Sequence, residues 1–71
     1  MKVIEDELIE LDRRVKIAMM RFPELRHGQA LFNEACSMFP EEVNKIRGTD
    51  DDCFYNNKKI SAFLSHFELD K

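Results

Sequence analysis

The sequence predicts an all-α domain, one long N-terminal helix packed on three short ones, and three observations carry that expectation. Apolar residues recur at helical spacing in four separate stretches, no stretch sustains the alternation of a strand, and the two prolines stand where one helix would stop or the next begin. A length of 71 residues, with 44% apolar and 35% charged side chains, makes a single small domain over 1–71. A chain of this length buries only roughly 60% of the surface its unfolded form exposes, so its core is small.

The first helix carries the clearest pattern. Ile4, Leu8, Leu11, Val15, Ala18 and Phe22 alternate spacings of four and three, which puts them on one stripe of a helix from about Val3 to Phe22. Acids in its first turns and bases in its last complement the helix dipole, and Glu10 with Arg14 and Asp12 with Lys16 are favourable pairs four residues apart. Pro23 ends it. A second helix spans Arg26 to Phe39, with Leu31, Ala35 and Met38 on one face and Phe32, Cys36 and Phe39 beside it. Pro40 with Glu41 and Glu42 composes a new first turn, and this third helix runs through Val43 and Ile46 to stop at Gly48, a residue suited to the left-handed conformation.

Thr49 and Asp52 have the spacing of a capping box, which predicts one helical turn between Asp50 and Asn56. Asn56 or Asn57 then caps a last helix, whose Ile60, Phe63, Leu64 and Phe67 follow the spacing i, i+3, i+4, i+7. Phe32, Phe39, Ile46, Phe63 and Leu64 are the expected shared core beneath the first helix.

The net charge of −3 hides a segregation: residues 1–12 balance at −4, residues 13–27 at +4 and the remainder at −3. The basic cluster Arg13, Arg14, Lys16, Arg21 and Arg26 is the place a nucleic acid would contact, but the acidic half-helix beside it argues for a solvated or partner-facing surface instead. A helix-turn-helix reading of the second and third helices fails on Glu41 and Glu42, two anions where the recognition helix would meet phosphate. The longest apolar run, Ile17 to Met20, is far short of the about 20 residues a membrane span needs. The opening residues lack an apolar signal core, which predicts a cytoplasmic protein with Cys36 and Cys53 as free thiols.

Chemistry-bearing clusters are few. A calcium loop starting at Asp50 would need Gly at its sixth position and Glu at its twelfth, where Tyr55 and Ser61 stand, so the run Asp50 to Asp52 reads as helix-capping acids. Zinc would have to gather Cys36, Cys53, His27 and His66 from four places without one close ligand pair. No local signature of a nucleophile and base and no cofactor motif is present, and the expectation is a protein that is not an enzyme. Gln29 and Asn33 lie one helical turn apart, and two roles suit them. Their amides hold the backbone of the Gly48 to Asp52 turn, or they join Arg26, Asp50, Asp52 and Tyr55 in a surface that recognises a protein partner.

The segments Arg26-His27-Gly28-Gln29-Ala30-Leu31-Phe32-Asn33 and Ile46-Arg47-Gly48-Thr49-Asp50-Asp51-Asp52-Cys53-Phe54-Tyr55 resemble a pattern of small uncharacterised bacterial and phage proteins, R-x-G-Q-x-[LIV]-F-N paired with G-T-D-x-D-P-F-Y and an apolar helix. The likeness covers about residues 26 to 64, with Cys53 where the pattern has Pro. It implies a small accessory protein of phage or prophage origin and brings no activity to transfer. The expected function is therefore a protein-binding adaptor or inhibitor, with a nucleic-acid-associated role through the basic end of the first helix as the alternative. A second expectation is an antiparallel homodimer through the Ile4, Leu8, Leu11, Val15, Ala18 and Phe22 stripe, since that orientation sets Glu5, Glu7 and Glu10 against Arg14, Lys16 and Arg21 of a second copy.

Overall fold

Residues 1–70, which the computed structural model describes, form four α-helices and two very short strands. In chain order these are β1 (Lys2–Val3), α1 (Glu5–Arg21), α2 (His27–Met38), α3 (Pro40–Ile46), a 3₁₀ turn (Asn57–Lys59), α4 (Ile60–Leu64) and β2 (Glu68–Leu69). The all-α expectation holds, with one long helix and three shorter ones. None of the described helices is long and apolar enough to cross a membrane.

Each helix end has a local cause. Ile4 is extended and offers no polar side chain, so the Glu7 carboxylate reaches back to accept from the Ile4 backbone N–H at 3.0 Å. Glu5, Asp6 and Glu7 fill the first turn, where the helix dipole favours anions. The expected pairs along α1 form, Arg14 to Glu10 at 2.9 Å and Lys16 to Asp12 at 2.8 Å, and Arg13 joins Glu10 at 2.9 Å. Pro40 opens α3 at its first position, and Gly48, with φ of 77°, turns the chain out of it.

Helix α2 is the hub, packing on α1, α3 and the 3₁₀ turn. The core gathers Val3, Leu11, Val15, Ala30, Leu31, Phe32, Ala35, Phe39, Val43, Ile46, Cys53, Phe63 and Phe67. A series of tilted and edge-to-face rings, Phe39–Phe67–Phe63–Phe32–Phe54–Tyr55, runs through it with centroid separations of 5.4, 5.5, 5.8, 5.5 and 4.7 Å. Six of the seven aromatic residues belong to this series, and it ends in solvent at Tyr55.

Three expectations are corrected. Residues 2–3 are a strand rather than the start of α1: β1 pairs in parallel with β2, Lys2 opposite Glu68 and Val3 opposite Leu69, and Val3 is buried at 1% exposure. A two-residue strand carries no periodicity to read. No helical turn forms between Asp50 and Asn56, because Asp52 spends its carboxylate on Gly48 and Phe54 instead of closing a box with Thr49. Of the five expected core residues, Leu64 stands 38% exposed, because it borders an open hollow of about 270 Å³ shared with Leu8, Leu11 and Val15 of α1. The apolar stripe of α1 is covered in part inside one chain. Leu11 and Val15 are buried, Leu8 and Ala18 pack on the same core, and only the end residues Ile4 and Phe22 remain about half exposed. The covering is supplied mainly by α2.

Candidate functional site

The loop from Arg47 to Asn57 joins α3 to α4, and its shape is set by short polar contacts. The Thr49 hydroxyl donates to the Ile46 carbonyl at 2.6 Å and accepts from the Asp51 N–H at 3.2 Å. Asp52 accepts from the Gly48 N–H at 2.7 Å with one carboxylate oxygen and from the Phe54 N–H at 2.8 Å with the other. Asp51 contacts His66 Nε2 at 2.8 Å, tying the loop to the turn after α4. Asn56 accepts from the Lys58 N–H at 2.9 Å and so caps the 3₁₀ turn, as one of the two expected asparagines.

The N-terminus of α2 grips this loop from beneath. Arg26 donates to the Phe54 carbonyl at 3.0 Å, the Gly28 N–H donates to Asn57 Oδ1 at 2.8 Å, and the Cys53 thiol donates to the Gly28 carbonyl at 3.2 Å. Gly28 is required there because a Cβ would lie 2.2 Å from the Cys53 carbonyl oxygen. Burial, with the nearby Asp52 charge, pushes the Cys53 thiol up to about 11, which keeps it protonated and a donor.

These contacts overturn one expected role. Among the described residues, the Gln29 and Asn33 side chains make no hydrogen bond, and the turn they were expected to hold is held by Thr49 and Asp52. Asn33 is exposed and Gln29 half-buried. Of the proposed recognition set, Asp52 and Tyr55 line a common cleft, Arg26 lies behind it on the Phe54 carbonyl, and Asp50 is exposed on the loop.

That cleft, about 260 Å³, is lined by Phe32, Arg47, Gly48, Asp52, Phe54 and Tyr55. Tyr55 is 81% exposed and leans on Phe54. The Arg47 guanidinium sits over the Phe32 ring at 5.0 Å and donates to Cys36 Sγ at 3.7 Å. No carboxylate of the described residues lies within 4.0 Å of it. Sequence reasoning missed Arg47, since no spacing rule links it to Phe32, fifteen residues earlier on another helix. A larger hollow, about 480 Å³, opens beside Met1, Phe39 and Pro40, but its rim charges Glu42 and Lys45 face each other at 3.9 Å.

The basic cluster on α1 is far less available than its composition suggests. Arg13 and Arg14 both bind Glu10, whose carboxyl they hold down at about 2; Lys16 binds Asp12, and Arg26 binds the loop carbonyl. Arg21 alone of the five makes no such contact among the described residues. In comparisons with family models, curated proteins and solved structures the chain matches none, so its function is read from this geometry.

Proposed function

We propose that the chain is a small protein-binding module, an adaptor or inhibitor, which docks through the face formed by the Arg47 to Asn57 loop. The observation that carries this reading is the pairing of a fully presented Tyr55 with an Arg47 that has no acidic partner, both on one cleft. Tyrosine and arginine are the residue types that most often anchor protein interfaces. The loop is also pre-shaped by the Thr49, Asp52, Arg26 and Asn57 contacts, so docking loses little conformational freedom. In this reading the protein catalyses nothing and works in a reducing compartment, where Cys36 and Cys53 stay thiols.

The test is quantitative capture from cell extract on immobilised wild type and on Tyr55→Ala, Arg47→Gln and Lys16→Ala. The reading expects specific proteins retained by wild type and Lys16→Ala and lost from the two loop variants. An identical retained set on all four proteins would overturn it, and retention of nucleic acid that falls steeply between low and high salt would favour the basic end of α1.

A further inference from the structure

We infer that the cleft beside Tyr55 receives a carboxylate side chain of the partner protein, carried next to an apolar residue, with Arg47 as its receptor. The inference rests on the docking reading above and specifies its chemistry. Three acidic residues, Asp50, Asp51 and Asp52, follow Arg47 by three to five positions, yet it pairs with none of them. Asp51 is engaged by His66, and both oxygens of Asp52 accept backbone N–H groups. The guanidinium lies instead on the buried Phe32 ring, which fixes a planar group of five donors while giving it one weak sulfur acceptor.

A fixed, exposed guanidinium at the wall of a cleft matches a carboxylate in shape and charge, because the two planar groups form paired hydrogen bonds. The rest of the wall is the rings of Phe32, Phe54 and Tyr55 with Gly48 and Asp52, and both Asp52 oxygens are already taken by backbone N–H groups. Phe54 and Tyr55 meet edge to face at 4.7 Å and offer apolar surface to the residue beside the carboxylate. A volume of about 260 Å³ suits side chains rather than a folded surface element. The Asp50 and Asp52 charges on the same loop discriminate further, since a phosphate dianion is repelled by them more than a carboxylate monoanion.

The experiment is a titration of amide chemical shifts with three blocked dipeptides, phenylalanyl-aspartate, phenylalanyl-asparagine and phenylalanyl-lysine, and with phenyl phosphate. The aspartate dipeptide is expected to bind with a Kd on the order of 1 mM, as fits a fragment of its size. Shifts should centre on Arg47, Gly48 and Tyr55, and the asparagine dipeptide should bind about tenfold more weakly. Arg47→Gln removes the preference for aspartate, and Arg47→Lys retains part of it. Tyr55→Ala weakens the aspartate and asparagine dipeptides alike. Both positions are exposed, and an unchanged spectrum outside the cleft verifies each variant's fold. Equal or tighter binding of the asparagine or lysine dipeptide, tighter binding of phenyl phosphate, an intact preference in Arg47→Gln, or no binding at all overturns the inference. Those outcomes leave the capture experiment to judge the docking face by itself.

Discussion

Replacing Gly28 by Ala sets two physical effects against each other. Helix propensity alone favours Ala by roughly 1 kcal/mol in a helix interior, and somewhat less in the first turn where Gly28 lies. Against it stands the contact geometry: the new Cβ would be 2.2 Å from the Cys53 carbonyl oxygen, 3.1 Å from Asn57 Oδ1 and 3.3 Å from the Cys53 carbonyl carbon. The nearest of these is backbone, so α2 and the loop have to separate by about 1 Å to reach ordinary contact distance. Forced overpacking of this kind costs about 1–3 kcal/mol. The separation also stretches the Gly28 N–H bond to Asn57 and the Cys53 thiol bond to Gly28, each worth about 1 kcal/mol. The clash therefore wins, with a net loss of about 2–4 kcal/mol after the propensity gain. For a domain of this size that lowers Tm by roughly 10–25 °C. Thermal unfolding followed by circular dichroism reads it directly. Gly48→Ala is the control, because nothing lies within 4 Å of its Cβ position and only the φ of 77° is strained, for about 1 kcal/mol. An unchanged or raised Tm in Gly28→Ala, or a smaller loss than in Gly48→Ala, refutes the reasoning.

Phe63→Ala should cost about 3–5 kcal/mol in urea unfolding, since its ring is fully buried between those of Phe32 and Phe67, whereas Leu64→Ala on the open side of α4 should cost under about 1.5 kcal/mol. A thiol reagent at pH 8 should modify Cys36 well before the buried Cys53, and simultaneous reaction of both would place Cys53 at the surface. Because Cys53 titrates near 11 in the folded chain against 9.0 for an unburied thiol, its contribution is fully present below about 9 and is lost as pH rises towards 11, so urea midpoints should fall across that window. In a carboxyl-carbon NMR titration Glu10 should titrate near 2, and Arg13→Ala with Arg14→Ala should return it to the ordinary range.

The helices were legible because periodicity and punctuation act within a few residues of chain. The stripe from Leu8 to Ala18, Pro40 at the first turn of α3, Gly48 after its last and Asn56 ahead of the 3₁₀ turn all act locally, and each stands where its chemistry predicts. The ends and the loop were less legible. Val3 continues the apolar pattern of α1 in sequence, yet it is drawn into a strand by Leu69, sixty-six residues away. Gln29 and Asn33 were chosen for amide chemistry, but the turn found nearer partners in Thr49 and Asp52.

The sequence by itself determined a mostly helical chain, the intrahelical ion pairs and four of the five expected core residues, since each depends on side chains a turn or two apart. Tertiary structure alone decided what covers the α1 stripe, because apolar periodicity says that a face must be buried and is silent on whether α2 or a second chain buries it. It likewise decided the cleft. Arg47 and Phe32 meet only because α2 and α3 pack against each other, and Gly28 matters only because the Cys53 carbonyl arrives there from a loop twenty-five residues on. Contacts of that kind are fixed by the packing of whole elements, which leaves no periodic trace in the chain.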